Sequence, residues 1–125
     1  MATGGKTVWY FPDGYLPEKS GQGAMEAHET LMLFNTHEGP AAVRLDIYYS
    51  DKAPDKDIAI TVGGERVIAL RLDNPKEIGG VVIPPLTQYA LRIRSDKPII
   101  AQFGRLDTTQ VNMAYYGCMG YSENA

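Results

Sequence analysis

Ala41-Ala42-Val43-Arg44-Leu45-Asp46-Ile47-Tyr48-Tyr49 is the stretch on which the fold turns. Val43, Leu45, Ile47 and Tyr49 alternate there with Ala42, Arg44, Asp46 and Tyr48, and successive side chains of a β-strand project to opposite faces of its sheet. One set is apolar and the other largely polar, so Ala41 to Tyr49 reads as a strand with one buried side. The same period of two recurs at Ile58, Ile60 and Val62, at Ile68, Leu70 and Leu72, and at Tyr89, Leu91 and Ile93, each run bounded by Gly, Pro, Asp or Asn. Shorter or more apolar strands are expected at Lys6 to Phe11, His28 to Phe34, Ile99 to Leu106 and Ala114 to Cys118. Helical periodicity is nearly absent. About eight closely spaced strands predict an all-β protein, an antiparallel β-sandwich or barrel, with at most a short helix.

Gly63-Gly64 marks a reversal between two alternating runs. A two-residue loop would set Ile60 opposite Val67 and turn Ile68, Leu70 and Leu72 outward. A three-residue loop that takes in Glu65, with a glycine in the left-handed conformation, instead pairs Ile60 with Ile68 and Ile58 with Leu70 on one face. A crossover between sheets is the rival explanation. Pro12 to Ala27 and Asn74 to Thr87 lack periodicity, and loops of that length in a compact domain often form the walls of a site.

The 125 residues suit a single domain, 1–125, with one sizeable core. Lys and Arg total 12 against 15 Asp and Glu, a net charge of −3, so there is no basic surplus of the kind that binds nucleic acid or acidic lipid. At 44% hydrophobic and 22% charged residues, the chain falls among ordinary globular proteins. Its single cysteine, Cys118, cannot form an intramolecular disulfide, which favours a reducing compartment. Met1 to Lys6 has no secretory pattern, and no run approaches the roughly 20 apolar residues that span a bilayer. A soluble cytoplasmic protein is expected. Eight of the aromatic residues are tyrosines, which suit interfaces, ligand clefts or half-exposed strand positions.

Little in the chain points to catalysis. Gly21-Gln22-Gly23 lacks the third glycine and the strand-turn-helix setting of a dinucleotide fingerprint. Two histidines and one cysteine, in no recognised spacing, do not make a zinc site. His28, Asp107 and a serine such as Ser50 or Ser95 have the residue types of a triad, but no serine sits in a nucleophile-elbow sequence. A non-enzymatic protein without metal or cofactor is therefore expected. His28 opens an apolar strand, where a neighbouring carbonyl or carboxylate would satisfy it, and His37 lies in a polar turn. Arg105 and Asp107 are two residues apart on one strand and share a face beside Phe103. They form either a solvated salt bridge worth about 0–1 kcal/mol or directed donors and acceptors for a polar ligand.

Taken in order, Gly5-x-x-x-Trp9, Gly14-Tyr15-Leu16-Pro17, His28-Glu29-Thr30, Asn35, Tyr48-Tyr49-Ser50-Asp51 with Pro54, Arg66, Arg71, Ile83-Pro84, Ser95, Pro98-Ile99 and Gln102-x-x-Arg105-Leu106-Asp107-x-x-Gln110 resemble the sensory rhodopsin transducer family. The match runs from Gly5 to about Tyr121. Gly104 departs from the Ser or Thr expected before Arg105. The resemblance implies a small cytoplasmic β-sandwich, jelly-roll-like, assembled as a homotetramer and similar in architecture to carbohydrate-binding domains. It implies a signalling module that binds a small polar metabolite such as a sugar, or alternatively a soluble relay docked on the cytoplasmic face of a membrane photoreceptor of rhodopsin type. For a sugar ligand, Trp9, Tyr15 and Tyr49 supply flat faces, while His28, Asn35, Gln102, Arg105 and Asp107 supply hydrogen bonds. A place for Trp9 in the core or at a subunit interface is the competing reading.

Overall fold

The computed structural model of the chain describes residues 4–18, 26–108 and 114–125. Its strands are β1 (Lys6–Tyr15), β2 (His28–Asn35), β3 (Ala41–Tyr49), β4 (Asp55–Val62), β5 (Arg66–Arg71), β6 (Gln88–Asp107), β7 (Ala114–Cys118) and β8 (Tyr121–Glu123), with one 3-10 turn at Pro75–Glu77. Every pairing is antiparallel. The fold is a β-sandwich built around β6. The first half of this strand, up to Ser95, lies between β3 and β1, and the second half, from Ile100, lies between β2 and β7. One layer therefore runs β4-β3-β6-β1-β8, and the other runs β5-β2-β6-β7.

The alternation in the sequence fills the space between the layers. Leu31 and Leu33 from β2, Val43, Leu45 and Ile47 from β3, and Leu91, Ile93, Ile99, Ala101 and Phe103 from β6 are buried in one cluster. Residues 89 to 103 of β6 keep the same parity toward the core in both layers, so the two predicted strands at Tyr89 to Ile93 and Ile99 to Leu106 are one. The polar stretch Arg94-Ser95-Asp96-Lys97-Pro98 that separates them bends without breaking the strand. Opposite it, the register with β1 shifts between Lys6 and Val8, as expected where a proline interrupts the ladder.

Gly63-Gly64 does not form a hairpin. β4 pairs with β3 and β5 pairs with β2, so the chain crosses between layers here. The loop does span residues 63–65, but the left-handed residue is Glu65, at φ 53°, and not a glycine. Ile58 and Leu70 still share the core, but from opposite layers rather than paired in one ladder. Asn35 explains the crossover. Its buried amide donates to the carbonyls of Gly39, Val62 and Gly63 at 2.9, 3.3 and 3.2 Å and accepts from the His37 N–H at 3.0 Å. The loop after β2 is thereby tied to the end of β4.

Asp46 departs from its expected place. It lies on the polar side of β3, yet its side chain has no solvent exposure. Arg92 Nε donates to it at 2.8 Å, Arg94 Nε and Nη2 at 3.0 and 2.9 Å, and the Asp57 N–H at 2.9 Å. Asp57 has φ 62°, and β3 against β4 shifts register between Leu45 and Ile47, so Asp46 holds this irregular turn of β4 in place. Burial pulls the Asp46 carboxyl pKa up, but Arg94, the Asp57 N–H and Arg92 outweigh it and hold the pKa below the ordinary value. Its stabilising contribution is therefore complete above the unfolded-state pKa, about 4, and is lost as pH falls through the lower folded value. Asp46→Asn should cost about 1–3 kcal/mol at neutral pH, towards the lower figure because both arginines are about a third exposed. Urea unfolding at neutral and acidic pH checks this: the gap between wild type and variant should narrow in acid, and a constant gap would contradict it.

Candidate functional site

Glu29 sits on the inward parity of β2, in line with Leu31 and Leu33, and its side chain is completely buried. A buried charge must be paired and hydrogen-bonded, and three groups from two strands, β1 and β6, meet that requirement. Arg105, opposite Glu29 in the β2–β6 ladder, donates its Nε–H to one carboxylate oxygen at 2.6 Å. Tyr89, from the other layer, donates its hydroxyl to the second oxygen at 2.6 Å. The Tyr15 backbone N–H, at the end of β1, reaches both oxygens at 3.0 and 3.3 Å. Burial, together with the charge and hydrogen bond of Glu29, drives the Tyr89 hydroxyl far above the usual phenol range, so it stays protonated and donating. For Arg105, burial works against the charged form, but Glu29 outweighs it and the guanidinium pKa is raised.

Around this hub the chain packs tightly. A Cβ on Gly14 would enter the Tyr89 ring, so glycine lets β1 pass over the tyrosine. The Leu86 N–H donates to the Leu16 carbonyl at 2.7 Å, bringing together the two long aperiodic segments; residues 19–25 of the first lie outside the described residues. Arg105 Nη2 donates to the Asp13 carbonyl at 3.2 Å, and the Tyr116 ring lies 5.3 Å from the guanidinium carbon. Arg105 keeps 21% side-chain exposure, and Tyr15 and Tyr116 are 41% and 42% exposed. The result is a cation fixed from below by a buried carboxylate, with aromatic surface open to solvent beside it.

Of the residues singled out from sequence, Tyr15 and Arg105 meet at Glu29. Asp107 ends the same strand half-buried, opposite Ala114. His28 precedes Glu29, with its Nδ1 2.8 Å from the Glu26 carbonyl oxygen. Trp9 belongs to the core: it is 5% exposed, its indole N–H is shared between the carbonyls of Ile99 and Lys6, and its ring stacks on Phe11. Asn35 lies at the opposite end of β2 and does the scaffold work described above. Gln102 is exposed on the outward side of β6, opposite Met32. Tyr49 donates its hydroxyl to Asp55 at 2.7 Å, and Lys52 lies 4.3 Å above its ring.

Glu29 and Tyr89 are the residues that sequence reading passed over as a pair. The available signal was parity, since an acid in register with Leu31 and Leu33 and a tyrosine in register with Leu91 and Ile93 both point inward. Gly104 also gains a reason. A Cβ there would collide with the Tyr115 hydroxyl, so β7 lays an aromatic side chain where a Ser or Thr would have stood. Among the described residues no group of three or more His, Cys, Asp or Glu is placed to hold a metal ion.

These features define an all-β sandwich with a polar clamp between its layers. The chain belongs to the Anabaena sensory rhodopsin transducer family, whose model matches residues 4–122. Among solved structures it is similar to the crystal structure of Thermotoga maritima 1070, with a TM-score of 0.85 and 28% identity over 97% of each chain. It is also similar to the Anabaena sensory rhodopsin transducer, with a TM-score of 0.68 and 30% identity over 82% of this chain and 99% of that one. No curated protein matches significantly.

The clamp should act as a unit. Glu29→Gln is expected to cost about 1.5–3 kcal/mol and Tyr89→Phe about 1 kcal/mol, with the double variant losing less than the sum because the two share one hydrogen bond. A urea double-mutant cycle measures this, and strict additivity would show that the pair is not coupled.

Proposed function

We propose that the protein is a non-enzymatic cytoplasmic signalling module that binds a small polar metabolite, a sugar or a sugar-containing compound, at the Arg105 end of the sandwich. The observation that supports this most directly is the partly exposed guanidinium held in place by buried Glu29 beside the open ring of Tyr116. A preorganised donor next to an aromatic face matches what a hydroxylated ring needs: hydrogen bonds in its plane and flat contact with its C–H groups. Asp107, two residues further along β6, lies on the same face as Arg105 and adds an acceptor. A thermal-shift screen of sugars and sugar derivatives should find a compound that raises the unfolding midpoint, because a ligand selective for the folded state stabilises it by RT ln(1 + [L]/Kd). Arg105→Ala should then weaken binding about tenfold to over a hundredfold. Unchanged affinity in a folded variant would reject the site.

Self-association as a homotetramer is part of the same reading. The outward side of the β5-β2-β6 layer carries a groove of about 410 Å³ lined by Met32, Phe34, Val67, Ile100, Ala101 and Gln102. Phe34 and Val67 are 41% and 63% exposed. No charged side chain lines it, so two copies meet there without bringing like charges together. Phe34→Asp should reduce the oligomer to smaller species by light scattering, and an unaltered mass would move the interface elsewhere. The alternative, a relay docked on a rhodopsin-type receptor, draws on family membership and on the name of the Anabaena protein. Binding to receptor-containing membranes, absent with empty ones, would favour it.

A further inference from the structure

The guanidinium of Arg105 has already spent the edge that anions use. It donates its Nε–H to Glu29 at 2.6 Å and its Nη2–H to the Asp13 carbonyl at 3.2 Å. Those two nitrogens form the side-on fork with which arginine takes a carboxylate or a phosphate through two parallel hydrogen bonds. A ligand is left with the outer end of the group.

Its charge is balanced as well. The Glu29 side chain is completely buried, so its negative charge acts on Arg105 with little screening by water. Asp13 brings a second carboxylate, on an exposed residue of β1 whose backbone is tied to the same guanidinium. The neighbouring side chains register both. Burial raises the Cys118 thiol pKa most, then Asp13 raises it, Arg105 lowers it and Glu29 raises it again. Burial also leads in raising the Tyr116 hydroxyl pKa, which Arg105 lowers and Asp13 and Glu29 raise. Among the described residues, Arg105 is the one cation that acts on the Cys118 thiol, against two carboxylates. Asp107, with the parity of Arg105 on β6, adds negative charge on the same face.

We propose, resting on the reading that Arg105 binds a polar metabolite, that this site admits uncharged hydroxylated compounds and excludes anionic ones such as sugar phosphates and sugar acids. Glu29 cancels the charge of Arg105, and Asp13 sets the discrimination by making the approach negative. A hydroxyl oxygen accepts from the outer end of the guanidinium without needing a countercharge, and its proton is donated to a carboxylate. The same carboxylates repel a phosphate, which is how a site discriminates by penalising the wrong ligand.

Cys118, the chain's single cysteine, is exposed and shares a face of β7 with Tyr116, so its thiol reports the local field. Its reaction rates are measured with methanethiosulfonate reagents that carry an ethyltrimethylammonium, an ethylsulfonate or a methyl group. Each rate is divided by that of the same reagent with 2-mercaptoethanol, which removes intrinsic reactivity. In wild type at low salt the cationic reagent should outpace the anionic one by about threefold or more, and raised salt should shrink the ratio. Asp13→Asn should lower the ratio by about twofold and Arg105→Gln should raise it. A wild-type ratio of one or below, or a ratio that Asp13→Asn leaves unchanged, would overturn the proposal. Thermal shifts with glucose against glucose 6-phosphate, and with galactose against galacturonate, read the ligand side. The uncharged member should stabilise wild type more, with the gap narrowed in Asp13→Asn; greater stabilisation by the anionic member would overturn the proposal and leave the sugar-binding reading intact. If neither pair stabilises the protein, that result counts against the sugar-binding reading, and the thiol ratios decide by themselves whether the site excludes anions. Circular dichroism checks the fold of each variant, and because Asp13 is an exposed residue, Asp13→Asn carries the test if Arg105→Gln does not fold.

Discussion

Glu29 puts a carboxylate where water does not reach, and much of the surrounding architecture follows from having to satisfy it. Its three partners come from β1, from the start of β6 in one layer and from the end of β6 in the other. The interaction does not need to add stability over an apolar replacement to matter, since buried ion pairs often add none. It is selective instead. A slip of β2 by one residue would turn Glu29 outward with Leu31 and Leu33, leaving Arg105 and Tyr89 facing an apolar interior without an acceptor. One register is therefore strongly preferred. The same device appears outside the sandwich, where Asp46 is enclosed by two arginines of β6 and holds the irregular turn of β4. In both cases a carboxylate on a neighbouring strand grips arginine side chains of the central one.

Most of the strands were legible because alternation is a direct consequence of a half-buried sheet, and Ala41–Tyr49 has the bounds that its pattern implies. What escaped reading escaped for identifiable reasons. Arg94 to Pro98 has the composition of a turn, but its polar side chains are accommodated at a bend where the strand passes from one layer to the other, so continuity was invisible in composition. Gly63-Gly64 advertised a hairpin, whereas Asn35, far away in sequence, supplies the hydrogen bonds that make a crossover possible. Tyr121–Glu123 is too short to show any period. Glu29 was hidden by its type. Polar residues are usually assigned to the surface, and only its parity with leucines said otherwise.

The candidate site was half legible for a related reason. Arg105 and Tyr15 were visible as unusual residues at informative positions, but their meeting point depends on which strands pair, and pairing between β2 and β6 involves residues about seventy apart in the chain. Trp9 illustrates the converse. As the sole tryptophan it attracted a functional role, while its indole N–H is committed to backbone carbonyls and its ring to the aromatic stack with Phe11 and Phe103.

The shared strand also has a bearing on how the protein is made. Before β6 is synthesised, the chain holds only two partial ladders, β3 with β4 and β2 with β5, and β1 has no partner at all. Neither layer closes until residues near position 107 have left the ribosome, by which time six-sevenths of the 125 residues have been made and the strands among them are at most half paired. Such non-local topologies fold slowly and expose aggregation-prone edges on the way. Biogenesis thus imposes its own demand on this chain: folding is completed late and all at once, around a strand that arrives almost last, and the interval before its arrival is when the nascent protein most needs protection by chaperones.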